Sequence, residues 1–178
     1  MKAATQRITL LAVGIALFAA LSLCLQVPVF ENYYICLGYA VMAVYCYSFG
    51  TVSGIVVGSL GVVLYCLLIS GLRGMPGWAL GNVVIGIVLG LTFKMTKRMQ
   101  SNTVKTALNV AAIVVGSALG ILLVKSITES LLYGQMLTVR IGKNVYAFVA
   151  DMVMLIVSLP ICLAVDKTAK KMFPQLAK

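Results

Sequence analysis

The chain has 178 residues, 62% of them hydrophobic and 10% charged, with a formal net charge of +10, and its mean hydropathy is +1.08. A soluble domain of this length has too little interior to hide so much apolar side chain, so the bilayer has to be the solvent. The apolar stretches outrun a signal peptide and recur along the whole length, which makes this a polytopic membrane protein.

Six spans are expected, in a single domain covering residues 1–178. The first runs from about Arg7 to Gln26, with Pro28 of "VPVFENY" as the breaker. Within it Ala12, Ala16 and Ala20 recur every fourth residue, a nearly flat stripe that a closely approaching helix would use and lipid does not need. The second span covers about Tyr34 to Phe49. The third, about Thr51 to Ser70, follows after a tight turn at Ser48–Gly50, and "GLRGMPG" ends it. The fourth runs from about Trp78 to Thr96, and the basic loop "KRMQSNTVK" leads to the fifth, about Thr106 to Leu131. A longer loop through Gly142 precedes the sixth, about Asn144 to Val165. Small residues spaced by four (Gly50, Gly54 and Gly58; Gly77 and Gly81; Gly86 and Gly90; Ala112, Gly116 and Gly120) predict close helix packing in spans three to five.

Charge orients the bundle. With the N-terminus inside, Lys2, Arg7, Lys94, Lys97, Arg98, Lys105, Lys167, Lys170, Lys171 and Lys178 are cytoplasmic, against Arg73, Lys125, Arg140 and Lys143 outside or near that edge. This is a positive-inside bias, which places both termini in the cytoplasm and explains the basic balance without nucleic acid. The expected fold is therefore an all-α integral membrane bundle of six transmembrane helices.

No catalytic constellation is present. The sequence has no histidine, so Ser-His and Cys-His nucleophile pairs and H-E-x-x-H are excluded. The five cysteines lie in apolar runs without a C-x-x-C pair and read as small buried hydrophobes, leaving no metal site. "RIGKN" fails as a phosphate loop, because Leu137 stands where the first glycine is needed and Asn144 where Ser or Thr is needed.

Polar groups at membrane depth are costly unless paired or functional. Asp151 lies within the sixth span, with Asn144 seven residues earlier on the same face; it faces a ligand or forms a structural pair with Lys125. Lys125 and Glu129 are four apart near the outer end of span five, as ligand contacts, as an ion pair on one helix, or with the lysine snorkelling to the surface. Trp78 and Asn82 share a face of span four, as ligand contacts or as an interfacial anchor and a packed amide. "FENYY", with Glu31 and Tyr33, and "RGMPGW" suit a lid over a flat, polar-edged molecule, or an ordinary aromatic belt.

Three stretches carry a family resemblance: "AVGIALFAAL", "ENYYICLGYAVMAVYCYSFGTVSGIVVGSLG" and "GMPGWALGNVVIGIVLGL". On these the chain resembles the substrate-binding S components of energy-coupling factor (ECF) transporters, the vitamin importers of prokaryotes, over nearly its whole length. The resemblance implies a multi-pass protein of the prokaryotic plasma membrane. It would capture a vitamin from outside and topple onto a transmembrane coupling (T) subunit, driven by two ATP-binding-cassette ATPases. Ala12, Ala16 and Ala20 would dock on the T subunit. This chain would carry no cofactor of its own, ATP and Mg being used by the partners. "ENYYICLGY" and "RGMPGWALGN" lie nearest the hydroxymethylpyrimidine or pyridoxine type, with riboflavin as the alternative. A self-sufficient small-solute carrier and a non-transporting scaffold are the other classes that the residues leave open.

Overall fold

A computed structural model describes residues 2–24, 28–30, 33–69 and 71–173. Helix α1 (Lys2–Cys24) is followed by a small antiparallel hairpin, β1 (Pro28–Phe30) and β2 (Tyr33–Tyr34), in which Pro28 pairs with Tyr34 and Phe30 with Tyr33. Helices α2 (Gly38–Phe49), α3 (Thr51–Leu68) and α4 (Met75–Thr96) come next. A single helical rod then comprises α5 (Asn102–Ser117), a π-wound segment (Ala118–Lys125) and α6 (Ser126–Tyr133), and α7 (Leu137–Met172) closes the bundle.

The expected turn between spans two and three is present at Gly50, whose φ of 92° lies where side chains are rarely tolerated. Other boundaries differ. Five of the six rods are long and apolar enough to cross a membrane. The exception is α2: its 12 residues span about 18 Å, short of the hydrocarbon thickness. Part of the stretch expected as span two forms β2 instead. The loop expected through Gly142 is helix from Leu137 onward, and only residues 134–136 separate the last two rods. Polar residues there mark where α7 leaves the apolar zone, and a helix closes its own backbone hydrogen bonds in or out of lipid. The same helix carries Pro160 in its interior.

The core runs through the middle of α1–α4 and α7, around Phe18, Tyr39, Met42, Val57, Ile85 and Leu155, all fully buried. Small residues set the helix spacing as the four-residue repeats predict. A Cβ on Gly81 would lie 2.7 Å from the Gly120 carbonyl oxygen, and one on Gly120 would lie 2.6 Å from that of Gly81, so α4 and the π segment cross backbone to backbone. On α1, Gly14, Phe18, Ala19 and Ser22 face inward, whereas Ala12, Ala16 and Ala20 are all exposed. The alanine stripe therefore has no partner helix among the described residues.

Candidate functional site

A cavity of about 310 Å³ opens between α1, the α2 entry, α3, α4, the π segment and α7. Each side chain reaches it for a local reason. Trp78 stands in the first turn of α4, which Gly74 and Pro76 start. Its ring meets Tyr65 of α3 edge to face, with centroids 5.6 Å apart and planes at 79°, an arrangement that aromatic quadrupoles favour. Cys66, Ile69 and Ala147 add apolar wall, and Ser22 and Cys36 close the side toward α1. The Ser22 hydroxyl donates to the Phe18 carbonyl at 2.7 Å. Its one proton is thus used, so at the 3.1 Å contact with Cys36 the thiol is the donor.

Two opposite charges complete the lining. Asp151 of α7 is buried and faces Lys125 at the end of the π segment. The Lys125 ammonium also stands 5.9 Å from the centre of the Trp78 ring, at the reach of a cation–π contact. An enclosure with two aromatic walls and an acid opposite an ammonium can hold a flat ring and hydrogen-bond its polar edge from both sides. It offers no nucleophile paired with a base, and the described residues hold no cluster of metal-ligating side chains.

Of the residues expected at the site, Trp78, Lys125 and Asp151 are thus brought together, and others are used elsewhere. Asn82 does not line the cavity. It is fully buried one turn below Trp78, where its Oδ1 accepts from the Tyr39 hydroxyl at 2.8 Å and its Nδ2 donates to the Gly58 carbonyl at 2.9 Å. The Trp78 indole N–H in turn donates to the Tyr39 oxygen at 2.8 Å, so Asn82 fixes the aromatic wall from behind.

Glu129 and Asn144 belong to a second buried network beside the cavity. Asn144 Nδ2 donates to Ser126 Oγ at 2.9 Å and to Glu129 Oε2 at 3.3 Å, and Arg140 pairs with Glu129 at 3.5 Å. Glu129 thus takes an ion-pair partner, Arg140, that the sequence reading left in a loop. Among the described residues, Asn144 Oδ1 has no hydrogen-bond partner. Glu31 and the side chain of Tyr33 lie outside the described residues, though the hairpin that carries Tyr33 rests against α7.

Tyr39, Tyr65, Cys36, Cys66 and Ser22 escaped the sequence reading. Tyrosines and small polar residues in apolar runs look like belt or core residues, and no spacing rule separates the two. For Tyr39 one signal existed: a membrane-depth asparagine at position 82 needs a buried hydroxyl or carbonyl as partner.

No curated protein matches the chain. The family model for the ECF-type riboflavin transporter, S component, matches residues 2–167, and the chain therefore belongs to the S components of ECF transporters, the membrane-embedded substrate-binding subunits of vitamin importers.

Proposed function

We propose that this chain captures riboflavin from outside the cell in the cavity between Trp78, Tyr65, Lys125 and Asp151. The observation that carries the choice of vitamin is the match to the riboflavin-type family over residues 2–167. The aromatic pair supports it, because Trp78 and Tyr65 offer edges and faces to a flat tricyclic ring. Asp151 would accept from a ring N–H or a ribityl hydroxyl, and Lys125 would donate to a ring carbonyl. A one-ring vitamin of the pyridoxine or hydroxymethylpyrimidine class is the second reading, favoured by a cavity of about 310 Å³, at the small end of ligand pockets.

The positive-inside bias supports placing the cavity toward the outside and both termini in the cytoplasm of a prokaryotic cell. Binding alone moves nothing, and the sequence lacks a phosphate loop, so the energy would come from two partner ATPases through a T subunit. The exposed Ala12, Ala16 and Ala20 would form the flat face on which that subunit's helices close.

The test is to purify the chain alone in mild detergent, denature it and identify released small molecules by mass spectrometry. Stoichiometric riboflavin, or quenching of added flavin fluorescence by the empty protein, is expected. Release of pyridoxine or a hydroxymethylpyrimidine, or their displacement of flavin at lower concentration, would move the assignment to the one-ring class. Failure to bind any of the three would overturn both readings.

A further inference from the structure

A second cavity, of about 440 Å³, lies at the opposite end of the bundle, where α3 begins and α4 ends. Four cations from two parts of the chain line it: Arg7 of α1, and Lys94, Lys97 and Arg98 at and just beyond the end of α4. Lys97 is held in place. It donates to the Tyr47 carbonyl at 2.6 Å and pairs with Asp166 at 3.0 Å, while Lys170 takes the other oxygen of that carboxylate at 2.6 Å. The other described carboxylates are engaged at the vitamin end, Glu129 with Arg140 and Asp151 in the first cavity. Among the described residues, then, no carboxylate pairs with Arg7, Lys94 or Arg98.

The cavity also supplies neutral donors. The Thr51 side chain lines it, and Gly50 gives the start of α3 no side-chain cap, so the first backbone N–H groups of that 18-residue helix remain available to an anion. Val52, which also lines the cavity, and Ile8 and Met95, next in sequence to Arg7 and Lys94, are apolar and exposed to 60%, 68% and 64%. A free phosphate would satisfy the cations but not these apolar side chains. A molecule with an anionic head and hydrocarbon tails satisfies both, and basic recesses between transmembrane helices suit such headgroups.

We propose that this basic cavity seats the phosphate of an anionic phospholipid, with Arg7, Lys94 and Arg98 around the phosphate and the acyl chains running over Val52 and Met95. With the positive end inside, that lipid belongs to the cytoplasmic leaflet. Scattered loop lysines would satisfy the positive-inside rule without a recess. Here the charges converge on one.

The test uses the full chain in a non-ionic detergent and native mass spectrometry with phosphatidylglycerol, phosphatidylcholine and inorganic phosphate as separate probes. One retained phosphatidylglycerol is expected, with an affinity at least tenfold above that for phosphatidylcholine, and inorganic phosphate should not displace it at equal concentration. The double variant Lys94→Gln/Arg98→Gln should weaken phosphatidylglycerol about thirtyfold, the loss of two basic contacts at a membrane surface. The pair Lys105→Gln/Lys143→Gln, which lies outside the cavity, should leave it unchanged. Thermal unfolding followed by circular dichroism checks that each variant is folded, and the lipid comparison on the unaltered protein stands even if one is not. Equal retention of the two lipids, or equal losses in both double variants, would overturn the site in favour of diffuse attraction. Displacement of the lipid by equimolar phosphate would overturn the lipid as occupant.

Discussion

Where α1 to α4 meet, backbones approach through glycines and aromatic rings fill what remains. Where α5, α6 and α7 meet, buried polar side chains hold the helices. In the first region a Cβ on Gly54 would fall on the Cys46 sulfur and lie 2.9 Å from its Cα, and one on Gly90 would lie 2.6 Å from the Thr51 Cα. In the second, Glu129, Arg140, Asn144 and Ser126 form one network, and the helix winds as π between two α stretches. The cavity proposed for the vitamin lies along the seam. The glycine-packed side gives it the rings of Tyr65 and Trp78, and the polar side gives it the charged groups of Lys125 and Asp151. On the proposed reading, shape and charge recognition would thus fall to different halves of one small bundle.

The comparison can be broken most severely at Gly54. Gly54→Val puts side-chain atoms into the Cys46 backbone, for which no rotamer change compensates. It should abolish monodisperse protein in size-exclusion chromatography, whereas Gly142→Ala, with open space around it, should change nothing. Folded, fully stable Gly54→Val protein would mean that the glycine side is looser than described.

Asp151→Asn probes the charge side. It keeps the shape and removes the carboxylate facing Lys125, and it should weaken riboflavin by about ten- to a hundredfold in a fluorescence titration. The melting temperature of the empty protein should hold. An equal loss of stability would make Asp151 a structural ion and not a ligand contact.

A smaller effect, and on stability alone, is expected for Glu129→Gln. The amide keeps its hydrogen bond to Asn144 but loses the charge opposite Arg140, at a cost of about 1–2 kcal/mol, visible as a lower melting temperature with flavin affinity intact. The smallest effect belongs to Trp78→Phe. It retains an aromatic wall and removes the N–H that orients Tyr39, and flavin affinity should fall by about threefold. A loss beyond tenfold would place the indole N–H itself on the vitamin.

How far the molecule is legible from its sequence follows from what each residue costs. Asp151 and Lys125 were visible because a charge inside an apolar run is expensive and has to serve something. Trp78 was visible as the aromatic that shares a face of span four with Asn82. Asn82 carried the same kind of signal but spends both ends on Tyr39 and Gly58, and sequence does not say whether a polar group is satisfied inside the fold. The glycine repeats announced close packing, and the contacts of Gly81, Gly86, Gly90 and Gly120 bear this out. They could not announce which helix each one meets. Arg140 read as loop because polarity was taken for the end of a helix, and its pairing with Glu129 was missed with it. The length of α2 was also out of reach, since its apolar flank continues into β2 without a change in composition.

The π segment has a consequence for how this chain can change over time. Eight residues, Ala118–Lys125, are wound more widely than an α-helix, and such stretches cluster at functional positions. Every residue beyond it owes its angular setting to that extra winding. Loss of one residue anywhere in 118–125 would let the segment relax to α with the downstream residues close to their present setting, because a π turn holds about one residue more than an α turn. Loss of one residue from the α-wound part of the rod, 102–117, would instead rotate everything downstream by about 100°, and Lys125 would swing off the cavity and Glu129 away from Arg140 in a single genetic step. Substitutions in this protein can therefore alter its ligand gradually, residue by residue, whereas a one-residue deletion in α5 would switch both networks at once and the same deletion in the π segment would spare them.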